Sequence, residues 1–157
     1  MRRSVFIFLL LVFFFFLRPV WAFNFTETPT KIIIPSAGIS LPVFKAKVTL
    51  DTWEVRTDGA SFGELTPLPG NTGNTVIFSH ALPWLFESLP RVKKGDYIHI
   101  FTKDDWFVYQ VVETLIVDPE NTEVIFSGDG QELTLYTCTG NGYTKRFVVK
   151  AKPAFEL

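Results

Sequence analysis

Beyond residue 30 the chain is cut into short runs of β-branched and aromatic residues, and no stretch repeats its apolar residues at helical spacing. The runs cover residues 31–35, 39–43, 75–79, 97–101, 106–117, 124–126, 133–138 and 146–151. Turn chemistry separates them: Ser36-Ala37-Gly38, Thr57-Asp58-Gly59, the Pro- and Gly-rich stretch 67–74, Lys93-Lys94-Gly95-Asp96, and the tetrapeptides 102–105 and 127–130. Runs this short and this evenly spaced predict an all-β domain, either a barrel or a sandwich. One helical turn is expected within 83–90, around Leu85 and Phe86.

Residues 1–22 follow other rules. Arg2 and Arg3 precede an unbroken apolar run of 13 residues, 5–17, which Arg18 and Pro19 end before Val20-Trp21-Ala22. A basic start, an apolar stretch of this length and a small residue at Ala22 read as an export signal. A membrane span needs about 20 apolar residues. Arg18 can snorkel and extend the segment to Phe23, so a cleaved signal and a retained anchor are both open. In either case the rest of the chain is expected outside the cytoplasmic membrane, because the basic end stays inside. Residues 23–30 are expected to be a short linker, and 31–157 one domain.

The leader takes six of the 17 Phe. The remaining 135 residues carry 12 Lys and Arg against 16 Asp and Glu, a net charge of −4. No basic run is present to neutralise a phosphate backbone, so nucleic acid is excluded as a partner. A chain of this length buries roughly two-thirds of its unfolded surface and supports one core. One Cys and two His do not make a zinc set, and no metal or cofactor is expected. Asp104-Asp105 and Asp118-Pro119-Glu120 read as solvated turn residues ahead of a calcium site.

Cys138 is the single cysteine, which rules out a disulfide scaffold and leaves an odd thiol in an exported chain. Its strand alternates, with Leu133, Leu135 and Thr137 on one face and Thr134, Tyr136 and Cys138 on the other. If Cys138 lies opposite Arg146, then Leu135 pairs with Val149 and Leu133 with Ala151, which gives one apolar face and leaves the thiol and the guanidinium together on the other. An arginine at cross-strand range, about 5 Å between Cβ atoms, favours the thiolate and can hold an oxyanion. A thiol nucleophile also needs a base. His80 closes an apolar strand and opens a loop, the position where catalytic groups concentrate, whereas His99 sits in mid-strand and reads as structural.

Thr134-Leu135-Tyr136-Thr137-Cys138-Thr139, with Arg146 eight positions after the thiol, resembles the Thr-Leu-x-Thr-Cys … Arg signature of sortases. Gly73 through Ala81 is similar to the strand and loop that carry the sortase histidine. Ile33-Ile34-Pro35 … Gly38-Ile39 … Pro42-Val43 resembles that family's opening strand pair. Leu85 through Leu89 and Val92 through Asp96 are similar to the segment after the histidine. The resemblance runs from about Lys31 to Lys150. The sequence departs from the common pattern at Ser79-His80-Ala81 and at the compact Gly140-Asn141-Gly142 loop.

The resemblance implies a closed β-barrel of about eight strands with one or two short helices, and a cysteine transpeptidase. Cys138 would attack a carbonyl in a sorting motif near the C-terminus of another exported protein. His80 would move the proton, Arg146 would stabilise the oxyanion and Thr137 would support Cys138. The thioester would pass to an amine of a cell-wall precursor, a pilin lysine or another protein. Trp84 and Phe62 are further candidates for substrate contact, and with Phe86 for shielding the thioester from water. Two alternatives stay open: an exported peptidase that hydrolyses the same thioester, and a non-catalytic β-barrel binding module.

Overall fold

The computed structural model describes residues 27–49, 52–126 and 130–155. The leader 1–22 and the first part of the expected linker lie outside the described residues. Among the described residues there are ten strands: β1 (Lys31–Ile34), β2 (Ile39–Ala46), β3 (Val48–Thr49), β4 (Thr52–Trp53), β5 (Ala60–Gly63), β6 (Gly73–Phe78), β7 (Tyr97–Phe101), β8 (Trp106–Val117), β9 (Gln131–Thr139) and β10 (Lys145–Pro153). One α-helical turn, α1 (Glu123–Phe126), lies between β8 and β9. Eight strands close into a barrel in the order β1-β2-β5-β6-β9-β10-β8-β7, and β3 and β4 form a separate two-stranded ribbon.

Closure depends on two parallel pairs, β2 with β5 and β6 with β9. The remaining barrel pairs are antiparallel. Alternation of side chains sends Ile32, Ile34, Phe62, Ile77, Ile98, Ile100, Leu133, Leu135 and Val149 into one dense interior cluster. A second cluster lies outside the barrel wall on β6 and β9. There Trp53 stacks on Phe78 at 5.4 Å and Phe78 on Tyr136 at 5.0 Å, so the β3–β4 ribbon covers that face.

Two expectations need correction. Residues 60–63, outside the runs expected to be strands, are the barrel strand β5, and Phe62 on it is only 2% exposed. Residues 124–126 are helical rather than extended; Asn74 Nδ2 donates to the Ile125 carbonyl and Lys150 Nζ to that of Val124, which caps the turn from the barrel wall. Residues 27–30, the described part of the expected linker, are tied to the barrel: the Thr30 N–H donates to the Phe101 carbonyl at 2.7 Å, and Pro29 is buried.

Candidate active site

The register of the last hairpin is the one that the alternation predicts. Cys138 lies opposite Arg146, Leu135 opposite Val149 and Leu133 opposite Ala151. Thr137 therefore points inward and is buried, while Cys138 is a half-buried free thiol on the outer face at the end of β9. On the other side of β9, the parallel pairing with β6 ends at Phe78 opposite Tyr136. His80 and Cys138 lie two residues further along their respective chains. His80, Cys138 and Arg146 thus come from or directly follow three successive staves, β6, β9 and β10, at one end of the barrel.

The backbone around His80 is fixed from both sides. Before it, the Thr137 hydroxyl donates to the Ser79 carbonyl at 2.8 Å and the Ser79 hydroxyl donates to the Gly59 carbonyl at 3.1 Å. After it, the Phe86 N–H donates to the His80 carbonyl at 3.0 Å within a run of turns. Leu85, Phe86 and Leu89 anchor those turns in the core. The helical turn expected around Leu85 and Phe86 is this set of turns, followed by a 3-10 turn at Leu89–Arg91. Phe62 and Phe86 are interior side chains that belong to the main core cluster.

Thr57, His80, Ala81, Leu82, Cys138 and Tyr143 line a cavity of about 320 Å3. Its walls are mostly apolar, as is usual for a binding pocket. Arg146 is not among the lining residues. Its Nη1 donates to the carbonyls of Tyr143 at 3.2 Å and Lys145 at 3.1 Å, so the guanidinium is folded against the loop that precedes it. Burial pushes the neighbouring Tyr136 phenol well above its usual range; the Arg146 charge acts the other way and the Cys138 charge adds to the rise. Trp84 is 62% exposed beside the cavity, and its indole N–H donates to the Thr57 carbonyl at 3.2 Å, which links the loops on two sides of the opening. His99 is far from this cluster in the fold and stacks on Trp106.

Tyr143, Thr57 and Leu82 were not distinguishable as lining residues in the sequence. The signal for Tyr143 lies in its loop: Gly140 and Gly142 take positive φ, which lets the chain reverse tightly and sets Tyr143 itself at φ 60 over the thiol side.

The sortase domain family matches residues 32–154, most of the chain. The chain belongs to the sortase family. It is 33% identical to sortase A of Streptococcus agalactiae serotype III over 129 residues, 77% of this chain and 51% of that protein. It is 30% identical to sortase A of Bacillus anthracis, across 76% of this chain and 56% of that one. This sortase chain spans about half the length of these two relatives. Among solved structures it is similar to a pilus-related sortase C of Group B Streptococcus, with a TM-score of 0.72, 32% identity and coverage of 84% and 70% of the two chains. It is also similar to a sortase C of Streptococcus pneumoniae, with a TM-score of 0.72, 28% identity and coverage of 85% and 72%.

Proposed function

We propose that this sortase is a cysteine transpeptidase that cleaves a C-terminal sorting motif of exported proteins and transfers the acyl group to an amine. The observation that supports the reading is that His80 and Cys138 line one cavity while Arg146 lies opposite Cys138 in the β9–β10 register. In the first step the Cys138 thiolate attacks the scissile carbonyl. A C–S bond forms, and the tetrahedral oxyanion takes hydrogen bonds from the planar donors of Arg146. Arg146 reaches it by exchanging its contacts with the loop carbonyls of Tyr143 and Lys145 for the substrate. His80 as imidazolium protonates the departing amine, the C–N bond breaks, and a thioester remains. In the second step neutral His80 accepts a proton from the incoming amine as it attacks; a new C–N bond forms and the thiolate leaves. Thr137 is a positioning residue, since it holds the Ser79 carbonyl next to His80.

The acceptor is a surface amine: a cell-wall precursor, a pilin lysine or another protein amine. One structural neighbour is described as pilus-related and another is linked to pilin specificity, which supports testing lysine acceptors first. Residues 5–17 with Arg2 and Arg3 support a membrane-anchored chain with its catalytic domain outside. Among the described residues no helix is long and apolar enough to cross a membrane.

The test is product partition. Sorting-motif peptides are incubated with the full chain and increasing amine, and products are weighed by mass spectrometry. The reading predicts that the amide replaces the acid as amine rises. Acid alone at saturating amine, across varied amines, identifies a peptidase, and no cleavage with any peptide favours a binding module.

A further inference from the structure

The barrel end remote from the cavity carries exposed aromatic rings that acyl transfer does not use. Phe101 and Trp106 face each other across the β7–β8 hairpin with rings stacked at 6.0 Å, and His99 stacks on Trp106 at 5.7 Å. Trp106 is 59% exposed. Phe155 is 71% exposed at the same end, where the preceding Ala154 N–H donates to the Val108 carbonyl. Rings grouped this way on an outer sheet face mark a contact surface.

The chain enters the barrel at this place. Glu27, the first described residue, accepts a 2.9 Å hydrogen bond from the Asp104 N–H, and the Thr30 hydroxyl donates to the carbonyls of Phe101 and Thr102 at 3.2 Å. Only residues 23–26 separate Ala22 of the leader from Glu27. Five Cα steps span at most about 18 Å. If the leader stays as an anchor, which is part of the function proposed above, the 102–105 hairpin is held within that distance of the lipid. The cavity lies at the other end of the strand. Arg146 pairs with Val117 at the end of β8, while Trp106 begins that strand of 12 residues, roughly 36 Å away at ordinary strand rise.

We propose that the face made by Phe101 and Trp106 rests on the lipid–water interface and orients the barrel so that the Cys138 cavity opens away from the bilayer. Trp suits this position because its apolar ring and its N–H prefer the headgroup boundary. A second contact beside the anchor fixes orientation as well as location.

The test uses the full chain carrying Trp21→Phe, so that the leader indole is silent, in vesicles of phosphatidylcholine and phosphatidylglycerol brominated in the acyl chains. Bromine is expected to quench tryptophan emission. Trp106→Phe should remove most of that quenching and leave acyl transfer in detergent unchanged, whereas Trp84→Phe should leave the quenching unchanged. Flotation of the vesicles separates the two readings. A chain that floats with no Trp106-dependent quenching overturns the proposed face and leaves the anchor standing. A chain that does not float overturns the anchor, and this proposal with it. Emission that follows protein concentration and ignores bromine shows a contact between copies and overturns the lipid assignment.

Discussion

The Thr137 hydroxyl donates a 2.8 Å hydrogen bond to the carbonyl of Ser79, joining the strand of the thiol to the residue before the histidine. Both residues are buried, Thr137 at 1% exposure and Ser79 at 4%. Thr137→Val keeps the shape and removes the donor. Leaving a buried acceptor short of a partner costs about 1–3 kcal/mol. The expected result is a lower urea midpoint and a loss of transfer that falls on kcat more than on KM, with both recovered in Thr137→Ser. Steady-state kinetics and urea unfolding of the three chains check this.

The proposed roles of the three polar residues predict distinct losses. Cys138→Ala abolishes transfer and leaves the fold intact. His80→Ala and Arg146→Ala each lower the rate by roughly a hundred- to ten-thousand-fold, the range for a positioned acid–base group or oxyanion donor. Arg146→Lys is also poor, because an ammonium lacks the planar fork that can hold an oxyanion and a backbone carbonyl at once. Full activity in any alanine variant contradicts the assignment.

Phe62 and Trp84 were both candidates for substrate contact, and the fold separates them. Phe62→Ala opens a hole in the barrel interior and should cost about 3–5 kcal/mol, read as a fall in the midpoint of thermal unfolding. Trp84→Ala removes an exposed ring and its bond to Thr57, so stability stays within about 1 kcal/mol while KM for peptide rises. Equal stability losses in the two variants would contradict this division.

Alternation made the hairpin legible. Leu133 and Leu135 against Val149 and Ala151 allow one register with an apolar face, and that register sets Cys138 opposite Arg146. The placement of His80 is a different matter. It depends on the parallel pairing of β6 with β9, strands that are more than fifty residues apart, and no local pattern encodes which distant strand a given strand will join. The resemblance to sortases supplied the barrel; the residues alone left barrel and sandwich open. β5 was hidden because four residues between Gly59 and the Pro-rich stretch give too short an alternation to read. α1 was missed for a similar reason: a single turn has no periodicity, and its caps come from Asn74 and Lys150 on other elements.

The leader gives a prediction independent of the site. With residues 5–17 retained, fractionation should find the chain in the membrane, and protease added to intact cells should remove the catalytic domain. A soluble chain beginning at Phe23 would show cleavage after Ala22 instead.

The central claim is that Cys138 carries the acyl group between donor and amine. Intact-mass measurement of the chain mixed with sorting-motif peptide, quenched in acid before amine is added, reads this directly. The account predicts a mass increase equal to the acyl fragment, located on Cys138, absent from Cys138→Ala and discharged to an amide when amine is supplied. Cleavage of the peptide with no adduct on Cys138, or undiminished cleavage by Cys138→Ala, would contradict it.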